Sequence, residues 1–188
     1  MKASRPQRLF LERMKTPIGV LALVAGEDGR LHGTGFLVGH AHMERGVSAL
    51  VNRPGTTLEE GRCPGDVRDA MERYFAGELA ALDTIRVVTD VGTEFQRDVW
   101  KMLRRIPCGE TWSYGELARR IGRPAAVRAV GLANGANPIG VVVPCHRVIG
   151  SDGSLTGYGG GIERKRWLLA HEGAGGGRQA SLPGVHAV

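Results

Sequence analysis

The sequence predicts an α/β protein of the α+β kind. Its first half reads as a small antiparallel sheet with one helix. Its second half reads as a mostly helical, winged-helix-like domain built on a helix-turn-helix. Three observations predict this. Apolar stretches of strand length, punctuated by an Asp28-Gly29 turn, fill the first forty residues. Two helix-start signatures, Thr93 with Gln96 and Ser113 with Glu116, follow Val91-Gly92 at short spacing. An apolar run, Val141 to Val143, then ends on Pro144 and delivers Cys145 and His146 side by side.

In chain order, residues 8–14, 17–25 and 30–38 read as strands. The polar, Gly/Pro-marked segment 39–62 gives no assignable pattern. Val67, Ala70, Met71, Tyr74 and Phe75 recur at helical spacing over residues 66–76, and a short strand is expected at 84–89. Residues 1–90 therefore form a scaffold domain without visible chemistry. From Thr93 a helix carries Phe95, Val99, Trp100, Met102 and Leu103 and stops before Pro107. A second runs from Ser113 through Arg120, Gly122-Arg123 makes a turn, and Pro124 suits the first position of a helix from Ala125 to about Asn134. The valine run reads as a buried central strand. A glycine-rich loop, residues 151 to 161, surrounds Tyr158, and a last helix from Ile162 to His171 brings Glu172 to the stop at Gly173. Residues 92–173 make the second domain, and the Gly-rich residues 174–188 read as a disordered tail.

The charge is unevenly placed. Of a formal net charge of +6, residues 1–92 contribute nothing, with 12 basic and 12 acidic side chains, whereas residues 93–172 hold 12 basic and 7 acidic. A basic half that contains the cysteine points to a polyanion. No apolar run is long enough to span a bilayer, and the N-terminus lacks the apolar stretch of a secretory signal, so no membrane partner is expected. Cys63, Cys108 and Cys145 are three widely spaced cysteines, which is neither a disulfide framework nor a zinc pattern. A reducing, cytoplasmic location follows, with no metal and no cofactor. The glycine loop lacks the spacing of a Rossmann or phosphate-binding loop.

A thiol attacks as the thiolate, and a nearby imidazole lowers its pKa from about 8.5. On an extended chain Cys145 and His146 would face opposite ways, so their cooperation needs a bridging water or a turn. The helix after Gly122 is unusual for its small side chains: Ala125, Ala126, Ala129, Gly131 and Ala133 surround Arg128. Small residues at these positions permit close helix packing inside a core; they also suit a minor groove about 6 Å wide, which admits a helix only if it is stripped down in this way.

The tetrapeptide Pro144-Cys145-His146-Arg147 with Val148, and the motifs from about Phe95 to Glu172, resemble the O6-alkylguanine-DNA alkyltransferases. The resemblance implies irreversible, single-turnover transfer of a methyl or larger alkyl group from O6-alkylguanine in double-stranded DNA to Cys145, with O4-alkylthymine as a second substrate. It implies that His146 acts on the thiol through a water, that Glu172 orients His146, and that Asn137 ties the turn beneath the cysteine. Tyr114 would rotate the target nucleotide and give a proton to the departing guanine, while Arg128 fills the vacated stack. Ala126, Ala129 and Gly131 would line the minor-groove face. Val148, Tyr158, Gly159 and Gly160 would form the guanine pocket. The protein would act as a monomer without an obligate protein partner. Two other readings compete. A helix-turn-helix regulator without chemistry would need a recognition helix rich in Asn, Gln and Arg. A cysteine hydrolase would turn over esters or amides and have no use for a basic, DNA-sized surface.

Overall fold

A computed structural model describes residues 7–37, 50 and 55–174. Most of the segment 39–62 and nearly all of the expected tail lie outside the described residues. The chain divides into two compact units, Met1–Val88 and Thr89–Val188.

In the first unit, β1 (Gln7–Thr16), β2 (Gly19–Gly26), β3 (Leu31–Phe36) and β4 (Thr56–Glu60) form one sheet in the order β3-β2-β1-β4. The first three strands pair antiparallel, as the alternation and the Asp28-Gly29 turn predict. Gly29 takes a positive φ of 70°, and the Asp28 carboxylate accepts from the Arg30 amide at 3.0 Å, which closes the hairpin. The fourth strand, in the unassigned segment, adds to β1 in parallel. Leu21 to Ala25 are all buried, so β2 is covered on both faces. The first helix, α1 (Val67–Phe75), buries Val67, Ala70, Met71 and Tyr74. The strand expected at 84–89 is only an isolated bridge between Val87 and Leu31. A 3-10 turn, Leu79–Thr84, takes up the chain first, and just two hydrogen bonds to Leu31 remain to be made, from its amide to Arg86 O and from Val88 N to its carbonyl.

The second unit contains α2 (Glu94–Leu103), β5 (Trp112–Ser113), α3 (Tyr114–Arg120), α4 (Val127–Gly135), β6 (Val148–Ile149) and α5 (Ile162–His171). Thr93 and Gln96 make the full reciprocal capping box at the start of α2. At α3 only half of the expected box forms: Ser113 Oγ accepts from the Glu116 amide, but the Glu116 carboxylate turns to Arg119 and Arg120 instead. Pro124 is not in the helix. Residues 123–126 make a turn, Ala126 is the N-cap, and α4 starts two residues later than expected. Trp100 Nε1 donates to Ala133 O at 2.8 Å and ties α2 to α4. The parallel pair Trp112–Val148 then fixes the start of α3 against the chain that follows Cys145.

Candidate active site

The cysteine is not at the end of a strand. Residues 139–143 form successive turns, with Val143 N bonded to Ile139 O at 2.9 Å and Cys145 N to Val143 O at 2.8 Å. Val141 sits at φ 70°, in the left-handed region that a β-branched residue avoids. Strand propensity loses here to a side chain. The Asn137 amide donates to Val143 O at 2.7 Å and its carbonyl accepts from Ile139 N at 3.1 Å, which draws the run into a coil. The strain, about 1–3 kcal/mol, is offset by burial of all three valines at roughly 1.5–3 kcal/mol each.

Cys145, His146 and Arg147 then make one 3-10 turn, which supplies the turn that their cooperation requires. Cys145 is 8% exposed and His146 fully buried. His146 Nε2 lies 3.0 Å from Glu172 Oε1, while Nδ1 is buried without a protein partner among the described residues. With Glu172 ionised, Nε2 carries the proton and Nδ1 presents a lone pair. Burial pushes the imidazole pKa down, against the pull of Glu172, so the ring rests neutral and able to accept a proton.

Arg147, to which the sequence reading gave no role, holds Glu172 with a fork of two bonds, 2.8 Å from Nε and 2.9 Å from a terminal nitrogen. Its third bond, 2.6 Å, reaches Ile106 O. Burial would raise the Glu172 carboxyl, but His146 and Arg147 together hold it well below the usual carboxylate range. Burial likewise raises the Cys145 thiol, with the Asn137 amide and the Lys165 charge working in the opposite direction. Lys165, on α5, is completely buried and donates to Val148 O at 2.6 Å and to Thr156 O at 2.8 Å. The sequence reading passed it over in an Arg-Lys-Arg run. Its signal was its spacing, on one face with Ile162, Leu168 and Leu169.

The expected pocket residues surround this core. Val148 is fully buried beside the turn. The Tyr158 ring lies edge-on to His146, centroids 6.4 Å apart, and burial raises its hydroxyl pKa well above normal. Gly159 is exposed, and a Cβ there would meet nothing within 4 Å, while Gly160 O accepts from Arg164 at 2.8 Å. On the helix-turn-helix, Tyr114 opens α3 and faces Gly131, where a Cβ would stand 3.8 Å from its ring. Its hydroxyl is 3.5 Å from Thr156 Oγ1 of the glycine loop. Arg128 and Ala129 are exposed on α4, and Ala126 is half-buried at its cap. Ala133 turns to the core, whereas Leu132, which the sequence reading passed over, is 72% exposed. The structure thus brings Asn137, Cys145, His146, Glu172, Val148 and Tyr158 into one cluster. Tyr114 joins it through Thr156, and Arg128, Ala126, Ala129 and Gly131 sit on or beside α4. Among the described residues no group of three His, Cys, Asp or Glu side chains could hold a metal ion.

Such an arrangement defines a class: DNA-binding proteins whose own cysteine is the reagent. A family model described as the DNA binding domain of 6-O-methylguanine DNA methyltransferase matches residues 94–174. The methylated-DNA–protein-cysteine methyltransferase of Salmonella typhimurium is 49% identical over 166 residues, 88% of this chain and 96% of that protein. The protein of the same name from Mycobacterium bovis is 58% identical over 122 residues, 64% of this chain and 72% of its own. The crystal structure of Mycobacterium tuberculosis OGT in complex with DNA is 47% identical, with a TM-score of 0.71, covering 87% of this chain and 92% of that one. The chain belongs to the O6-methylguanine-DNA methyltransferase family.

Proposed function

We propose that this protein repairs DNA directly, taking the alkyl group of an O6-alkylguanine in duplex DNA onto Cys145 once and without regeneration, with O4-alkylthymine as a second substrate. The observation that carries the reading is the His146–Glu172 bond, which leaves the buried Nδ1 open as a base in the residue beside the thiol. The Cys145 proton passes to Nδ1 through a water. The sulfur then attacks the alkyl carbon, the S–C bond forms as the C–O6 bond breaks, and the electron pair stays on the guanine, which takes a proton from the Tyr114 hydroxyl. Tyr114 recovers its proton from the medium. A thioether is a poor leaving group, so one chain repairs one base.

The second unit binds the duplex, and the first serves as its scaffold. The exposed residues of α4 are Val127, Arg128, Ala129, Leu132 and Gly135. They offer almost no donors to base edges, which suits a protein that must act at any sequence and disfavours the regulator reading. Affinity would come from phosphate contacts and fall with salt. Ala126, Ala129 and Gly131 let the helix approach the minor groove. Flipping the nucleotide costs a few kcal/mol, and Arg128 stacked in its place returns roughly 1–2 kcal/mol. The backbone of Cys145, Val148, Gly159 and Gly160, with Tyr158, receives the base. The protein works as a monomer. No helix among the described residues is long and apolar enough to cross a membrane, and a free nucleophilic thiol suits the reducing cytoplasm.

The test mixes the full chain with a slight excess of duplex carrying one O6-methylguanine, beside a Cys145→Ser control, and reads intact and peptide mass. One methyl group per chain, on Cys145 and absent from the control, is the expected result. Unmodified protein that still holds the lesion, or turnover of an ester instead, would overturn it.

A further inference from the structure

Among the described residues, the large apolar side chains left standing in solvent are Val127, 40% exposed, and Leu132, 72% exposed. Both are on α4. A lone apolar side chain on a surface needs no explanation, but these two share a short helix whose other outward positions are small or carry Arg128. A helix that had only to be thin would hold alanine or glycine at 132. The core does not need Leu132 either, since it takes Val130, Ala133 and Asn134 from the opposite face. At about 100° per residue, Leu132 stands one turn beyond Arg128 and about 40° to one side of it; Gly131 and Val127 lie about 60° and 100° to the other. The bare Cα of Gly131 faces the Tyr114 ring, which a Cβ there would meet at 3.8 Å. Arg128 therefore projects between an aromatic ring with Val127 on one flank and Leu132 on the other.

We propose that Leu132, with Val127 as the weaker member, forms an apolar collar for Arg128: on the duplex it packs against the deoxyribose walls of the minor groove and keeps water from the guanidinium in the vacated stack. The inference rests on α4 facing DNA and on Arg128 filling the place of the flipped nucleotide. A polyanion is the occupant this face fits. Arg128 is the one charged side chain of α4, and the exposed Arg119, Arg120 and Arg123 precede it, with Glu116 shared by the first two. Leucine is among the apolar side chains that minor-groove proteins press into the duplex. A cation over an aromatic face gains most when water is excluded, and sugar C–H groups against leucine methyls exclude it without reading sequence. Leu132 touches no reacting atom. It is a positioning residue that acts through Arg128.

The test is a double-mutant cycle on the full chain: parent, Leu132→Ala, Arg128→Ala and the double variant, with folding checked by urea midpoint. Single-turnover methyl transfer is read on a duplex carrying one O6-methylguanine, and duplex affinity is read against salt. Leu132→Ala should slow transfer by roughly 3–5-fold, the difference between a dry and a wet cation stack. The slope of log affinity against log salt should stay that of the parent, because no phosphate contact is lost. In the Arg128→Ala background the same substitution should cost less than about twofold, since the collar then has nothing to shield. Leu132→Met should restore most of the rate. Parent-like transfer by Leu132→Ala would overturn the proposal, and so would additive losses, which would make Leu132 a contact independent of Arg128. A parent dimer in sedimentation that Leu132→Ala dissolves, with transfer untouched, would give this face to a second copy of the chain and overturn it too. Failure of Arg128→Ala itself to slow transfer on the duplex would instead refute the stacking role beneath the proposal.

Discussion

Two cysteines of this chain are buried to a similar depth, and their surroundings have opposite consequences. Cys63, in the first unit, is 2% exposed; its sulfur donates to Phe10 O at 3.4 Å and Leu23 O at 3.5 Å, and its amide donates to the Glu12 carboxylate at 2.8 Å. Burial and then the Glu12 charge raise its thiol to about 11. Cys145 also feels burial first, but its neighbours are an amide donor, a buried ammonium and a neutral imidazole. Acceptors and a negative charge keep the first thiol protonated. Donors and a positive charge oppose the burial that raises the second. Burial alone does not make a cysteine inert or reactive; the sign of what is buried with it does.

The sharpest way to break this contrast is to exchange the sulfurs for oxygen. Cys145→Ser should abolish methyl uptake from an O6-methylguanine duplex, while Cys63→Ser should still take up one methyl group per chain, read by intact mass. A methyl group found on Cys63 would end the comparison. Next in size is Glu172→Gln. It should slow transfer by roughly 10–100-fold, because the imidazole loses its anchor, and lower stability by about 3 kcal/mol, because Arg147 loses its buried anion. Single-turnover rates and urea midpoints measure the two; a parent-like rate would remove Glu172 from the reaction. Arg128→Ala should cost about tenfold on duplex substrate and nothing on a free alkylated base. Equal losses on both would sink its role in the stack.

Acid and alkali should separate the two thiol environments. The folded-state pKa of Glu172 is depressed, so its contribution is present above the unfolded carboxyl value of about 4.3 and is lost as pH falls below it. His146 is depressed as well; below about 6.5 the unfolded ring binds a proton that the folded ring refuses, and stability begins to fall there. Cys63 is the reverse case. Its raised pKa gives stability that is full below the ordinary thiol range and is lost as pH rises toward about 11. Lys165 works against that decline above about 8, so the quantity to read is the difference between parent and Cys63→Val across the alkaline limb of a urea-midpoint titration. At neutral pH this substitution should leave methyl transfer unchanged, the smallest effect of the series.

Much of this was legible in the chain. The Thr93–Gln96 box, the first three strands and the last helix follow from short-range chemistry that their own residues contain. Cys145, His146 and Glu172 were found because a family motif places them. Three features were not legible for a common reason, which is that distant groups decide them. Three consecutive valines read as a strand, but the Asn137 amide coils them. Arg147 gained a role only when α5 brought Glu172 to meet it. Lys165 drew no reading in its Arg-Lys-Arg run, and only its alignment with Leu168 and Leu169 hinted that it points inward. The parallel strand β4 had no sequence signal strong enough to stand alone.

The 3-10 turn at Cys145–Arg147 sets a limit on how this protein can change. With three residues per turn, successive side chains leave about 120° apart, so Cys145 departs in its own direction while His146 and Arg147 approach Glu172 from two others. A strand offers only two directions and could not have separated them. The same compression removes all slack. Inserting or deleting one residue inside the triplet would hand the nucleophile's direction to its neighbour and misassign all three roles together, and no single substitution elsewhere would restore them. The exposed turn at residues 151–154 should accept changes in length that these three positions cannot.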